Sequence, residues 1–328
     1  MRALVTGGAG FIGSHLCERL LADGHDVAII DDLSTGSLAN LAACDRDPRL
    51  DVRQGRVEDE ALTSRLVGRA DFVFHLAAAV GVGLVERSTA AAIRTNVLAI
   101  DAVLRAAVPR RVPVLVASSS EVYGRSDSVP FQESGDLVLG PPHAWRWSYG
   151  CSKALDEHLA MAVAAETVVP VVVARLFNIA GPRQVGDHGM VLPRFAAAAL
   201  AGAPIEVHGD GTQTRCFCHV LDAVDALVRL AACENARGGV FNVGSDVEVR
   251  IRDLAHRVRE RAGSVSPVVL VPCEEAHRPG FEEPARRVPD LRRVTAAIGW
   301  KPSRGLDRII DEVLDDRRRA GRPRTPST

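Results

Sequence analysis

Apolar runs and helix-like stretches alternate along the first half of the chain. The strand-like runs lie at 2–7, 26–31, 70–78, 112–120 and 169–178. The longest helix-like stretches between them lie at 88–108 and 148–166. Strands that alternate with helices predict right-handed βαβ units, and therefore an α/β fold with a doubly wound parallel sheet covered on both faces.

The pattern changes after Asn178. Glycine and proline become frequent, as in AGPRQVGDHGMVLP, and the apolar segments become shorter. We expect a smaller, mixed α/β C-terminal domain at 179–314 that covers the mouth of the sheet, while residues 217–243 return to a first domain at 1–178. The charged, proline-rich end of the chain, at 315–328, is predicted to be a disordered tail beyond a last helix in LDRIIDEVLDDRRR.

Composition narrows the class of protein. The chain has 328 residues, is 47% hydrophobic and carries a formal net charge of −1, so no overall field recruits nucleic acid or an anionic membrane. No apolar run approaches the roughly 20 residues of a membrane span, and the first residues lack the apolar segment of a signal peptide. The seven cysteines form no pair of CxxC motifs, which argues against both a disulfide framework and a zinc site. We therefore expect a cytoplasmic protein without a metal site.

A glycine-rich motif follows the first predicted strand. In TGGAGFIGSHL, Gly8, Gly10 and Gly13 match G-x-G-x-x-G, and Gly7 extends the match. The glycines allow a tight turn and close approach of the backbone to a pyrophosphate, which the N-terminus of the following helix stabilises. Asp31 ends the second strand, where a carboxylate accepts the ribose hydroxyls and repels a 2′-phosphate. The motif predicts a Rossmann-type domain that binds NAD rather than NADP.

A tyrosine and a lysine lie four residues apart in SYGCSK. On a helix, Tyr149 and Lys153 share one face, and an ammonium beside a phenol lowers the pKa of the phenol. The resulting phenolate can remove a proton from a sugar hydroxyl while hydride leaves the same carbon. His75, in FHLAA, is expected to pack near the cofactor rather than to act as a base.

These motifs together resemble the extended short-chain dehydrogenase/reductases, the NAD-dependent epimerase/dehydratase family that modifies nucleotide sugars. The resemblance runs from Met1 to about Leu314 and also includes SSSEVYG, RLFNIAGPRQ, LPRF and HGDGTQTRCFCHV. It implies that NAD stays bound through the cycle, that the C-terminal domain holds the nucleoside diphosphate of a UDP-sugar, and that the protein is a homodimer formed through the helices at 88–108 and 148–166.

The same resemblance assigns residues to the two ligands. The implied cofactor residues are Gly7, Gly10, Phe11, Ile12, Gly13, Asp31, Asp32, Val57, Leu76, Ala77, Asn96, Tyr149 and Lys153. The implied substrate residues are Arg87, Asn178, Leu192, Arg215 and Arg278, of which Asn178 and Arg215 are candidates for the diphosphate and Leu192 for the base. One departure is QGRVED, where Arg56 replaces an aspartate that the family often has near the adenine.

The motif SSSEVYG distinguishes the reactions within this family. By resemblance, Ser119 assists Tyr149, whereas Ser120 and Glu121 occupy the slot that holds Ser/Thr-Ser-Glu in decarboxylases of UDP-glucuronic acid. A hydroxyl at Ser120 can hydrogen-bond a substrate carboxylate, which an aspartate would repel. The stretch GFEEPARRVPD places Arg287 at the arginine implicated in those enzymes, although a one-residue register slip would select Arg286. Alternatively, Glu121 is only a structural ion-pair partner of Arg125 or of a C-terminal arginine.

We therefore predict an NAD-dependent lyase that oxidises UDP-glucuronic acid at C4 and then decarboxylates it. The product is UDP-xylose if the hydride returns, or the UDP-4-keto-pentose if the product leaves first. The alternative enzyme is a 4-epimerase of UDP-glucose or UDP-glucuronic acid, which needs no carboxylate at Glu121. A non-catalytic NAD-binding regulator is a third possibility, against which the Tyr149–Lys153 pair argues.

Overall fold

A computed structural model of the protein describes residues 1–186, 189–279 and 281–320. The strands, in chain order, are β1 (Arg2–Thr6), β2 (Asp26–Asp31), β3 (Leu50–Gln54), β4 (Phe72–His75), β5 (Val114–Ser119), β6 (Val171–Leu176), β7 (Ile179–Ala180), β8 (Ile205–His208), β9 (Thr214–Cys216), β10 (Cys218–His219), β11 (Gly239–Val243), β12 (Glu248–Arg250) and β13 (Val268–Val271). The α-helices are α1 (Phe11–Ala22), α2 (Glu60–Val67), α3 (Val82–Arg87), α4 (Thr89–Ala107), α5 (Ser148–Thr167), α6 (Val191–Ala201), α7 (Val220–Ala232), α8 (Ile251–Ala262), α9 (Cys273–Ala276), α10 (Arg292–Ile298) and α11 (Leu306–Ala320).

Seven of these strands form one parallel sheet, which confirms the predicted fold class. Their order is β11-β6-β5-β4-β1-β2-β3, and each neighbouring pair is parallel. The order reverses direction between β1 and β4, and ligands of such sheets bind at the carboxyl ends of the strands beside this reversal. Strand β11 pairs with β6 at the edge of the sheet, within the region expected to return to the first domain.

Alternating side chains of the central strands enter two separate cores. Leu4 packs in the cluster that includes residues of α2, α4 and α5, whereas Val5 packs in the cluster that includes α1 and α7. Because successive side chains of a strand point to opposite faces, this alternation places one helical layer on each face of the sheet. Within the described residues, no helix is both long and apolar enough to cross a membrane.

A third core belongs to the C-terminal part of the chain. It joins α6, α8 and α11 with residues of β8, and its buried members include Phe195, Leu254 and Ile310. The tail predicted from residue 315 is wrong in its first residues, because α11 continues to Ala320. Asp316 on this helix accepts a hydrogen bond from the backbone amide of Arg183 at 2.9 Å, which holds this turn of the helix in place. Residues 321–328, also predicted to be disordered, lie outside the described residues.

Candidate active site

A large cavity opens at the carboxyl ends of the central strands. Its volume is about 950 Å³, and its walls combine the β1–α1 turn, the ends of β2, β4, β5 and β6, and residues of the C-terminal part. The cavity therefore lies at the point where the strand order reverses, as parallel sheets of this kind dictate. Its volume is near the upper end of the range that is usual for ligand-binding cavities.

The β1–α1 turn forms one end of the cavity. Gly7 has a φ of +70°, and a Cβ atom on it would lie 2.9 Å from the backbone nitrogen of Ala77. A Cβ atom on Gly13 would lie only 2.1 Å from the carbonyl oxygen of Gly7, so side chains are excluded from this part of the turn. Helix α1 begins at Phe11, directly after Gly10. A turn that lacks side chains and lies directly before a helix N-terminus fits the pyrophosphate of NAD.

The carboxylate of Asp31 is held at the end of β2. It accepts hydrogen bonds from the backbone amides of Ala9 at 2.9 Å and Leu33 at 2.8 Å, and burial raises its pKa. Further residues predicted to bind the cofactor also line this part of the cavity: Ile12, Asp32, Val57, Leu76 and Ala77. Arg56 lines it as well and donates a hydrogen bond to Glu58 at 2.8 Å.

Asn96, predicted to lie along the cofactor, is engaged by neighbouring protein groups. Its side chain is buried; it donates to the hydroxyl of Ser152 at 3.0 Å and accepts from the backbone amide of Ala79 at 2.8 Å. Asn96 therefore connects α4 with α5 and with the loop after β4, rather than lining the cavity. His75 is likewise buried and bonded to Thr6 at 2.9 Å between Nδ1 and Oγ1. Burial and the charge of Lys153 lower the pKa of His75 to about 3, so it is neutral at physiological pH, as expected for a packing residue.

Tyr149 and Lys153 lie in the first turns of α5, as their spacing predicts. Tyr149 lines the cavity, and the nearby Ser119 hydroxyl acts to lower the pKa of its phenol. The ammonium of Lys153 instead donates to Asp156 at 2.8 Å, with both side chains buried. Burial and the charge of Glu121 raise the pKa of Tyr149, which is opposite to the direction predicted from Lys153. Asp156 was missed, although its position three residues after Lys153 on a helix was a sufficient signal.

Glu121 is bound by two arginines. Its carboxylate accepts hydrogen bonds from Nη1 and Nη2 of Arg146 at 2.6 and 3.1 Å and from Nη1 of Arg287 at 2.6 Å. Burial opposes ionisation, but the two guanidiniums outweigh it and hold the pKa of Glu121 well below its usual range. Sequence reasoning assigned no role to Arg146, which lies in the turn before α5 and is reached only through the fold.

The two arginines named as other possibilities lie elsewhere. Arg125 pairs with Glu282, and Arg286 pairs with Glu248, both at exposed positions. Arg287 is buried and lines the cavity. The sequence match without a register slip therefore selects the arginine that contacts Glu121. Glu121 thus pairs with a C-terminal arginine, as the alternative interpretation also predicted.

Arg215 is the only buried arginine among the three predicted substrate arginines. Its guanidinium donates to the carbonyl oxygens of Thr214 at 2.6 Å and Pro284 at 3.0 Å, and it forms an ion pair with Glu283. Burial and the charges of Arg287 and neighbouring Arg146 lower the pKa of Arg215 to about 9.

The other predicted substrate residues divide into two groups. Asn178 and Leu192 line the cavity. Arg87 is exposed and does not line it. Arg278 is also exposed and lies at the rim, where its backbone amide donates to Glu86 at 3.0 Å.

An aromatic wall near Arg146 was not predicted. The imidazoles of His208 and His277 are 3.1 Å apart between Nδ1 and Nε2, and His277 stacks on Phe281 with the ring centroids 3.7 Å apart. Burial and the charge of Arg194 lower the pKa of His208 to about 4, so this ring is neutral at physiological pH. His208 comes from a separate segment, so only the fold brings it to His277 and Phe281.

Comparisons with known proteins agree with this geometry. Residues 3–244 match the sequence model of the NAD dependent epimerase/dehydratase family. A relative from Bacillus cytotoxicus named UDP-N-acetyl-alpha-D-glucosaminuronate decarboxylase is 38% identical over 315 residues, which is 95% of this chain and 96% of the relative. UDP-glucuronic acid decarboxylase 1 of Arabidopsis thaliana is 32% identical over 318 residues, which is 96% of this chain and 69% of the relative.

Solved structures share the whole fold. A UDP-glucose 4-epimerase from Thermotoga maritima, solved with UDP-glucose, superimposes with a TM-score of 0.87 and 28% identity over 98% of this chain and 99% of that chain. The dTDP-glucose 4,6-dehydratase DesIV from Streptomyces venezuelae, with NAD and TYD bound, superimposes with a TM-score of 0.88 and 29% identity over 97% of both chains.

Proposed function

Because the chain belongs to the NAD-dependent epimerase/dehydratase family, we propose that it is a decarboxylase that acts on UDP-glucuronic acid. The observation that carries this proposal is the pair of buried guanidiniums on Glu121, with Arg215 close enough to be affected by their charges. Three arginines and two carboxylates, Glu121 and Glu283, leave a net positive charge beside Tyr149. A substrate with a carboxylate at C6 suits such a charge, whereas a neutral hexose gains nothing from it.

NAD, the cofactor of this family, is the hydride acceptor for the substrate's C4 carbon. The chain's own part in that oxidation is to remove the proton of the C4 hydroxyl. Tyr149 is the base, and the Ser119 hydroxyl, which acts to lower the pKa of its phenol, stabilises the phenolate. Lys153, which donates to Asp156, lies one turn after Tyr149 on α5. Oxidation makes the sugar a β-keto acid.

Decarboxylation then breaks the bond between C5 and C6. The electron pair of that bond moves toward the C4 ketone to give an enolate, and CO2 leaves. Arg146 and Arg287 hold the departing carboxylate in place, and Ser120, buried at the start of the 120–123 turn, is a hydrogen-bond donor beside them. Because both guanidiniums keep Glu121 ionised, Glu121 orients the arginines and does not itself provide the proton that C5 receives.

A second substrate has support from one observation. The relative with 38% identity is named for the N-acetylated sugar acid, and it matches almost the full length of both chains. UDP-N-acetylglucosaminuronic acid carries the same C6 carboxylate and undergoes the same steps. We place it second. Both substrates carry the carboxylate on which the proposal depends, and the group at C2 distinguishes them only through binding.

We also propose that the protein is a cytoplasmic homodimer. Leu98 on α4 and Leu155 on α5 have exposed fractions of 53% and 51%, which is unusual for leucines on two packed helices. A second copy that covers both helices would bury them. The domain limits at 178 and 314 and the roles assigned to the site residues belong to the same proposal.

A competition assay tests the substrate. Purified protein with NAD receives UDP-glucuronic acid and UDP-N-acetylglucosaminuronic acid together, and released CO2 and both products are quantified over time. We expect CO2 release with a higher kcat/KM for UDP-glucuronic acid. A preference for the acetylated sugar would transfer the proposal to the second substrate. Turnover of UDP-glucuronic acid without CO2, as in a 4-epimerase, would overturn the proposal.

A further inference from the structure

Glu283 places a carboxylate of the protein on an arginine that faces the cavity. It pairs with Arg215, whose side chain is only 7% exposed, whereas the side chain of Glu283 is 28% exposed. Both residues line the cavity. The remaining hydrogen bonds of Arg215 go to backbone carbonyl oxygens, which supply no negative charge.

The charges around this pair explain why a carboxylate lies there. Arg146, Arg215 and Arg287 bring three positive charges to a buried region in which Glu121 supplies one negative charge. Glu121 is fully engaged by Arg146 and Arg287, so Arg215 is the cation of this cluster that needs another anion. Leaving a buried guanidinium without a counter-ion is costly, and Glu283 removes that cost.

The same carboxylate conflicts with the substrate. A diphosphate that binds Arg215 would place its oxygens where the Glu283 carboxylate lies, and like charges at contact distance repel strongly in a buried site. One of the two anions has to leave. Glu283 can do so, because more than a quarter of its side chain already faces solvent.

We propose that Glu283 is an internal counter-ion of Arg215 that the diphosphate of the substrate displaces, and that it thereby sets the charge a ligand must bring to the site. This inference rests on the proposed function in assuming a UDP-sugar as the substrate. Ligands without a diphosphate leave Glu283 in place and gain nothing from Arg215. Ligands with a diphosphate gain an ion pair with Arg215, but their binding costs the energy of the pair between Arg215 and Glu283.

The test is ligand binding by the NAD-loaded enzyme and its Glu283→Gln variant. Isothermal titration calorimetry compares uridine, UDP, UDP-glucose and UDP-glucuronic acid. Glu282→Gln is the matched control, because it removes the same charge one residue away, at an exposed pair with Arg125. We expect Glu283→Gln to bind UDP and both UDP-sugars roughly tenfold more tightly, with uridine unchanged. Glu282→Gln should bind all four ligands as the wild type does.

Thermal unfolding separates this role from a purely structural one. Without ligand, Glu283→Gln should melt at a lower temperature than the wild type, because Arg215 has lost its counter-ion; saturating UDP should raise its melting temperature by more than it raises that of the wild type. Weaker or unchanged UDP binding by Glu283→Gln would overturn the inference. A gain confined to UDP-glucuronic acid would also overturn it, since the sugar carboxylate would then be the displacing group.

Failure of the inference differs from failure of the proposed function. If wild-type enzyme binds UDP and releases CO2 but Glu283→Gln gains no affinity, only the inference fails. If neither protein binds UDP, the inference fails together with the assignment of a UDP-sugar. If UDP binds more tightly to the variant but no CO2 is released from either sugar acid, the counter-ion role stands and the decarboxylase proposal fails.

Discussion

Glu121→Gln is the substitution that most sharply separates a catalytic from a structural role of the buried ion pairs. The variant keeps the shape of the side chain but removes the charge that faces two guanidiniums, whose side chains are 5% and 7% exposed. Removing one partner of a buried pair costs about 3–5 kcal/mol. We expect the free energy of unfolding to fall by an amount near the lower limit, about 3 kcal/mol, because the amide oxygen still accepts one hydrogen bond.

Urea unfolding of the NAD-loaded protein measures this loss. With an m-value of about 3 kcal/mol per molar urea for a chain of this size, a loss of 3 kcal/mol lowers the midpoint by about 1 M. Catalysis should fall further than stability explains. Without the bridge that Glu121 forms, Arg146 and Arg287 no longer hold fixed positions, and we expect kcat for CO2 release to fall by about 100-fold.

Glu157→Gln is the matched control. Glu157 accepts hydrogen bonds from Arg175 at 2.9 and 2.7 Å, and the two side chains are 6% and 5% exposed, so this pair is as buried as the one at Glu121. It does not line the cavity. We expect a similar loss of stability with kcat within a few fold of the wild type. If the two variants lose kcat equally, or if Glu121→Gln remains fully active, the catalytic role of Glu121 is refuted and the pair is structural.

Three further predictions concern the base, the pH dependence of stability and the assembly. Tyr149→Phe should bind NAD normally but oxidise C4 at least 1000-fold more slowly, because the phenol that accepts the C4 proton is gone; stopped-flow absorbance of NADH measures this step, and rapid NADH formation would contradict the assignment. The pKa of His75 is lowered to about 3 in the folded protein, so the stability it contributes is present above its unfolded pKa of about 6.5 and is lost as the pH falls toward 3. Between those limits the free energy of unfolding of the wild type should fall by about 1.4 kcal/mol per pH unit more than that of His75→Gln; urea midpoints that change equally with pH in the two proteins would rule this out. Replacing both Leu98 and Leu155 by Asp should convert the dimer into a monomer in light scattering at micromolar concentration, whereas a monomeric wild type would refute the proposed dimer.

Local patterns of the sequence predict the geometry of the β1–α1 end of the cavity. The glycine turn, Asp31 and the first turns of α5 each depend on residues close in the chain, where strand and helix geometry determine which side chains come together. The parallel sheet follows from the same alternation of strands and helices. A local signal was also overlooked: Asp156 lies one helical turn after Lys153 and binds it.

Long-range ion pairs were harder to predict. Glu121 is 25 residues from Arg146 and 166 from Arg287, and the chain contains many other arginines that could pair with it. Glu283, which pairs with Arg215, lies on a segment without a helix or strand pattern, so periodicity does not predict this pairing either. Arg87 was expected at the substrate, but it is the last residue of α3 and is exposed. The direction of its side chain is set by the packing of the helix rather than by the sequence pattern.

The measurement that tests the central claim most directly is mass spectrometry of the sugar nucleotide after turnover in D2O. Purified protein is incubated with NAD and UDP-glucuronic acid, and the product is analysed for its mass and its deuterium position. We predict loss of one CO2 and gain of one solvent deuterium at C5, because the proton that replaces the carboxylate comes from an exchangeable source. A product of unchanged mass without deuterium at C5 would show epimerisation at C4 instead and would contradict the account.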